Sequence, residues 1–451
     1  MRISRLALSA MIASACVSGT AFGQTNRTAP RYAPATYYSY YDEDKAAAAS
    51  PSDEAAPAAP AASSVGSASG CDLGNACDSI GCDTYGHCGS TGLFGFGLLG
   101  TGRALDDPWK LCDDPCAPIT IGGWTSVGYH SHANPFSFNT FPRNVQLGQQ
   151  WFFAERVADG SDGLGVGGRI DYLYGTDAPD TQAFGLNVPN WDNTWDNGGQ
   201  YGHAIPQLYG QVASGDLSVK MGKFWTLEGN EVVAATGNFF YSRQFTFYNS
   251  EPFTHTGFVT TYTVDEDTEV YNGYVTGWDS GFRDNGDAYT GGFKRKINDT
   301  WTMVFTTVLG RFGEANAPIA LERGEDYSVV LIGSLTDKLT FISQSDYLFT
   351  RNETGAAARN AFGNINYLLY QVNDRWAFGQ RFEWFNYGGA AFGDRVNDDL
   401  YNYTIGANYR AHANLLFRPE VRWVWDKTNF GFNEDNAASQ AAIGGDMIFT
   451  F

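Results

Sequence analysis

Nowhere does this 451-residue chain offer a window of about 20 apolar residues, so a membrane-spanning helix is excluded. Methionine is scarce, at five, and cysteine does not occur after Cys116. Basic residues are few, 29 Lys and Arg against 49 Asp and Glu, and the resulting charge of −20 argues against nucleic acid as a partner. Aromatics and glycine, by contrast, are abundant, with 32 Phe, 25 Tyr, 12 Trp and 53 Gly. Many rings and glycines without long apolar runs fit a chain of many strands and turns.

The N-terminus reads as an export signal over residues 1–23. Arg2 and Arg5 precede an apolar run from Leu6 to Val17, and Ala21-Phe22-Gly23 forms a small-x-small cleavage site. Ala13 stands where lipoprotein signals carry Leu, which argues against lipid attachment at Cys16. Residues 24–69, rich in Ala, Ser and Pro, cannot bury enough apolar surface to offset their ordering entropy and read as a disordered arm. Residues 70–118 form a small periplasmic segment with Cys71, Cys77, Cys82, Cys88, Cys112 and Cys116. An even set in an exported chain implies disulfides, with the pairing left open, and the spacings do not match the tight pairs of zinc sites.

From residue 119 to 451 the texture is alternating. In FRPEVRWVW, Phe417, Val421, Trp423 and Trp425 share one face while Arg418, Glu420 and Arg422 share the other. Segmentation gives about sixteen strands whose connections sort by parity. Long gaps at 131–143, 175–202, 226–255, 278–287, 311–325, 349–360, 387–399 and 426–440 alternate with tight turns such as 214–216, 297–299 and 336–338. Long loops on one side and turns on the other predict an all-β, antiparallel transmembrane barrel with both termini on the periplasmic side. Trp151, Phe153, Trp301, Trp376, Phe449 and Phe451 are expected in a girdle on the turn side. Tyr327, Tyr401, Trp423 and Trp425 are expected in one on the loop side. Pro419 inside a strand predicts a local bulge.

Several stretches together resemble the OmpL-like β-barrel porin family across roughly residues 107–451. They are DDPWKL, GGWTSVGYH (122–130), GRIDYLYGTDA (168–178), FFYSRQFTFYNSEPFTHTG (239–257), RWAFGQRFEWF (375–385), RPEVRW (418–423) and the ending DMIFTF. The resemblance implies an outer membrane of Gram-negative type and a pore. The ending, with Met447, Phe449 and Phe451 on one face, looks like the signal read by the outer-membrane insertion machinery.

A barrel of this size leaves an aqueous channel whose selectivity depends on what narrows it. The longest connection, 226–255, is third by parity and is expected to fold inward as a constriction carrying Glu228, Glu231, Arg243 and Glu251, with His255 at its end. Wall charges expected to face the lumen are Arg169, Asp171, Lys220, Arg381, Glu383, Arg410, Arg418, Glu420 and Arg422. A basic wall opposite an acidic loop would set a transverse field; alternatively these charges pair with one another and stiffen the barrel. The expected function is passive diffusion of small hydrophilic solutes or ions, without a cofactor or catalysis, in contact with outer-membrane lipid. A trimer is expected by analogy with porins. One rival is a solute-selective channel with Phe239, Phe240, Tyr241, Phe245, Phe247 and Tyr248 as an aromatic track. Another is a non-conducting barrel that anchors the N-terminal arm to the envelope. His130 and His132 lack a third metal ligand, and no Ser stands at a credible spacing from His203 or His412 for a triad.

Overall fold

The computed structural model describes residues 105, 108–111, 117–183, 192, 200–282, 286–313, 322–426, 428 and 431–451. The expected signal peptide, arm and all the cysteines lie outside the described residues. Seventeen strand segments form one sheet that closes on itself. Two of them are halves of one interrupted strand, so the barrel has sixteen antiparallel strands. They are β1 (Thr120–His130), β2 (Gln146–Arg156), β3 (Gly165–Gly175), β4 (Gly202–Ala204 and Leu208–Ser214) and β5 (Leu217–Trp225). There follow β6 (Thr254–Asp265), β7 (Thr268–Val275), β8 (Asp287–Lys296), β9 (Trp301–Gly313), β10 (Glu322–Thr336) and β11 (Leu339–Arg351). The last are β12 (Ala357–Gln371), β13 (Trp376–Gly389), β14 (Arg395–His412), β15 (Leu415–Asp426) and β16 (Ser439–Thr450). Each strand pairs with its sequence neighbour, and β16 closes on β1 from Trp124↔Thr450 to His130↔Gly444.

The sheet follows the sequence alternation. In β15, Arg418, Glu420 and Arg422 are buried towards the lumen while Trp425 on the other face is exposed. Loop parity holds, with corrections. Connections 352–356 and 390–394 are shorter than the gaps the sequence suggests, because β12 and β14 continue upward as paired strand. The third connection ends at 253, and His255 sits inside β6, paired with Phe224. Pro419 makes no bulge: the β14–β15 register is the same at Gly406↔Glu420 and Tyr409↔Phe417, so the lost donor is absorbed without an inserted residue.

Two girdle assignments are also corrected. Trp151 is fully buried in the interior, stacked on Trp124 at 4.6 Å, and Phe153 packs against the same cluster. The outward ring on β2 is Phe152, which meets Phe451 at 5.6 Å. All-aromatic runs such as Trp151-Phe152-Phe153 carry no alternation signal to fix the face. Trp376 keeps its expected outward place, stacked on Tyr409 at 4.5 Å. Just before the barrel, Trp109 is clipped to the β14–β15 turn through Asn414, by two hydrogen bonds of 2.7 Å.

Candidate constriction inside the barrel

The connection 226–253 enters the lumen and is held there by the wall. It carries a short helix, α2 (Phe245–Ser250), following α1 (Ala178–Thr181) in the second connection. Three lumen-facing wall glycines let it approach. A Cβ on Gly363 would stand 2.3 Å from Thr246 Oγ1, on Gly379 2.4 Å from the Phe239 ring, and on Gly128 2.5 Å from the Tyr241 ring. Glycine at an inward strand position marks such close approach.

On the β12–β15 side the contacts are charge-assisted. Arg381, with no exposed surface, donates to Glu231 Oε1 at 2.5 Å and to the Ser242 carbonyl at 2.9 Å. Glu231 also accepts from Tyr367 Oη at 2.8 Å and from the Gln244 amide at 2.7 Å. Glu383 accepts the amides of Phe245 and Thr246 at 3.1 and 2.7 Å, and the Thr246 hydroxyl at 2.8 Å. These amides open α2, whose preceding residue Gln244 offers no side-chain cap, so a wall carboxylate does the capping. Glu420 takes the amides of Tyr241 and Ser242 at 2.9 and 3.2 Å. Arg418 grips Asp446 with two bonds of 2.8 and 2.7 Å and donates to the carbonyls of Ala235 and Asn238 at 2.7 and 2.6 Å. Arg422 lies over the Phe245 ring, 4.4 Å from its centre. Gln149 of β2 adds bonds to the Val233 carbonyl at 2.7 Å and from the Ala235 amide at 2.9 Å.

Arg243 points into the loop itself, donating to the carbonyls of Val232, Val233 and Tyr241. It knots the loop rather than presenting a free lumen charge.

The β10–β11 side is different in kind. Glu228 and Glu251 of the loop are buried beside Asp326 and Asp346 of the wall. Neutral groups bridge the carboxyls to the loop backbone: Gln344 donates to Glu251 at 2.6 Å and accepts the Asn230 amide at 3.0 Å, and Ser328 accepts the Gly229 amide at 3.2 Å. Burial pushes the Glu228 carboxyl up to about 8; a hydrogen bond with Asp326 pulls the other way, and the charges of Asp346 and Glu251 add to the rise.

The remaining wall charges lie elsewhere. Arg169 binds Asp171 at 2.7 Å and Glu155 at 3.2 Å near the turn-side end of β3. Lys220 sits over the Tyr209 ring, and Arg410 bonds the Ala413 carbonyl at the β14–β15 turn. None of them touches the third connection through a described hydrogen bond or ion pair. The aromatic residues of 239–248 are not aligned along a path. Phe239, Phe240 and Phe245 belong to one buried core and Phe247 to another. Recesses beside the loop measure only about 10 and 20 Å³, room for a water molecule. His130 Nδ1 bonds the His132 carbonyl at 2.9 Å, and the described residues contain no cluster of metal-ligating side chains.

Gln149, Gln344 and Tyr367 are anchors that inspection for charge passes over. Their signal is a polar residue at an inward position opposite the longest connection, weaker than a charge but of the same parity.

The fold is similar to that of an anion-selective porin from Comamonas acidovorans, at TM-score 0.52 and 10% identity, over 74% of this chain and 99% of that one. It is also similar to the trimer form of OmpT, an outer membrane protein of Vibrio cholerae, at TM-score 0.51 and 11% identity, over 74% and 99%. At these identities the likeness concerns the fold. No curated protein matches the sequence. The family model described as "Putative beta-barrel porin-2, OmpL-like" matches residues 118–451, and the chain belongs to this OmpL-like β-barrel porin family.

Proposed function

We propose that the barrel is an outer-membrane channel for passive diffusion of small hydrophilic solutes or ions, with 226–253 as its constriction. The observation that carries this reading is the inward third loop, bonded to wall residues from β2 to β15 rather than standing above the rim. The export signal over 1–23, the arm over 24–69, the disulfides of residues 70–118 and the insertion signal Met447, Phe449 and Phe451 belong to the same proposal. So do contact with outer-membrane lipid and a trimeric assembly, by analogy with the trimer form of OmpT.

The test is planar-bilayer conductance of the full chain, where discrete ohmic steps are expected and their absence overturns the proposal. Replacing Arg418 and Arg422 with Ala is expected to move the ion reversal potential towards cations. An unchanged potential removes these two residues from the selectivity filter.

The small recesses beside the loop favour one second reading, a barrel kept closed by its own loop. Conductance that appears only after removal of 230–248 would establish it.

A further inference from the structure

On the outer surface of the wall, far from the lumen, three arginines stand abreast. Arg311 of β9 is directly opposite Arg323 of β10, which is directly opposite Arg351 of β11. Their sequence neighbours Phe312, Glu322 and Thr350 are buried inward, so the three guanidinium groups face out, at the loop-side ends of their strands. Adjacent strands are about 4.8 Å apart, so the row spans on the order of 10 Å.

Like charges directly opposite one another are unfavourable. Compensation within the protein is partial: Arg311 is ion-paired with Asp287, which also accepts from Tyr274. Among the described residues, Arg323 and Arg351 have no carboxylate partner, and Arg351 lies over the Phe349 ring at 5.0 Å. The three line a shallow recess of about 630 Å³ with Asp287, Glu325 and Phe349. One row nearer the membrane centre, the outward positions are Tyr289, Leu309, Glu325 and Phe349, and the next holds Tyr327 and Tyr347. A cationic row therefore caps a mainly aromatic and aliphatic surface whose one carboxylate, Glu325, accepts a hydrogen bond from Tyr327, in a chain whose net charge is −20.

We propose that this recess binds the phosphorylated headgroup of an outer-leaflet glycolipid, with phosphate oxygens on Arg323 and Arg351 and an acyl chain along Leu309 and Phe349. Planar guanidinium forks match phosphate oxygens two at a time, and Leu309 and Phe349 offer apolar side chains to a tail beside them. The inference uses the orientation of the barrel and does not depend on whether it conducts.

The experiment measures retention of diphosphoryl lipid A by the full chain after detergent exchange, by native mass spectrometry. The Arg323→Gln/Arg351→Gln double variant is expected to retain at least about tenfold less, and Arg323→Lys/Arg351→Lys an intermediate amount, because lysine keeps the charge and loses the fork. Dephosphorylated lipid A is expected not to be retained, and millimolar inorganic phosphate not to displace the lipid. Equal retention by the wild type and the Gln variant overturns the proposal. Equal retention of dephosphorylated lipid also overturns it, and displacement by inorganic phosphate reassigns the recess to a free anion. Because both side chains are exposed, the heat-modifiable gel mobility of a folded barrel should be unchanged in the variants, which separates lost binding from lost fold.

Discussion

The inward loop has two flanks, and they are held by opposite chemistry. Towards β12–β15, Arg381 and Arg418 meet Glu231 and the loop carbonyls, while Glu383 and Glu420 meet loop amides. The hydrogen bonds there join complementary partners. Towards β10–β11, Glu228 and Glu251 are buried beside Asp326 and Asp346, carboxyl against carboxyl, with Gln344 and Ser328 bonding among them. Buried like charges are tolerable only while protons are shared among them. The first flank is therefore expected to act as a hinge and the second as the edge that lifts, which the following measurements test. A loop fixed equally on both sides would be a plug; one fixed unequally has a direction in which to open.

The largest expected effect comes from breaking the hinge. Arg381→Ala leaves Glu231 and Glu383 buried without their cation and should destabilise the barrel by about 3–5 kcal/mol, read from urea unfolding in detergent. An equal loss from Gln344→Ala would erase the difference between the flanks. Next comes Gly363→Ala, whose Cβ would stand 2.3 Å from Thr246 Oγ1. Overpacking there should cost about 1–3 kcal/mol and raise cleavage of 226–253 by added protease. Unchanged cleavage would mean that the hinge side adapts without moving.

The third test is pH. The seated loop holds Glu228 up at about 8, so it binds a proton that a released, solvated Glu228 surrenders near its usual value of 4.5. The released state therefore binds fewer protons between these values, and seating weakens as pH rises through that window. It is strongest below the solvated value and has lost this contribution above about 8. Conductance noise or protease cleavage of the loop should increase from pH 5 to 8, by up to about tenfold per unit. Glu228→Gln, a mimic of the protonated form, should flatten the profile. A profile equally steep in that variant would remove Glu228 from the account. The smallest effect is expected outside the comparison. Arg143→Gln breaks the exposed pair with Glu434 and should leave stability unchanged within error in thermal unfolding.

Much of this arrangement was legible in the sequence, for identifiable reasons. Strand number and loop parity follow from period-two patterning and turn chemistry, which are local. The inward faces of Arg381, Glu383, Arg418, Glu420 and Arg422 were legible because they alternate with outward apolar residues, most of them rings. What escaped is what only contact decides. Trp151-Phe152-Phe153 has no alternation, so the face of β2 was set by Trp124 and Trp225, which are distant in sequence. The interruption of β4 at 205–207 depends on its partner β3, where the Gln207 carbonyl receives the Asp171 amide at 2.9 Å. Between a transverse field and mutual pairing of these charges, residue type alone does not choose, for the same reason. Glu231 and Arg381 carry the expected signs, but they meet at 2.5 Å. Sign is written in residue type, whereas distance depends on the path of a 28-residue connection and on glycines in the opposite wall.

The seam between β1 and β16 has a kinetic consequence. Gly123 and Phe451 exchange two backbone bonds of 2.9 Å, joining the first strand to the chain's last residue. Until the final segment has been synthesised and delivered, both terminal strands present unpaired edges, and an open sheet in hydrocarbon cannot satisfy them. Closure is thus a contact of very large sequence separation, whose loop-closure entropy is paid before it is rewarded, so it is expected to form late. Asn414 bonds the Thr450 carbonyl at 2.8 Å and Trp109 together, so the closing strand and the segment preceding the barrel share one anchor.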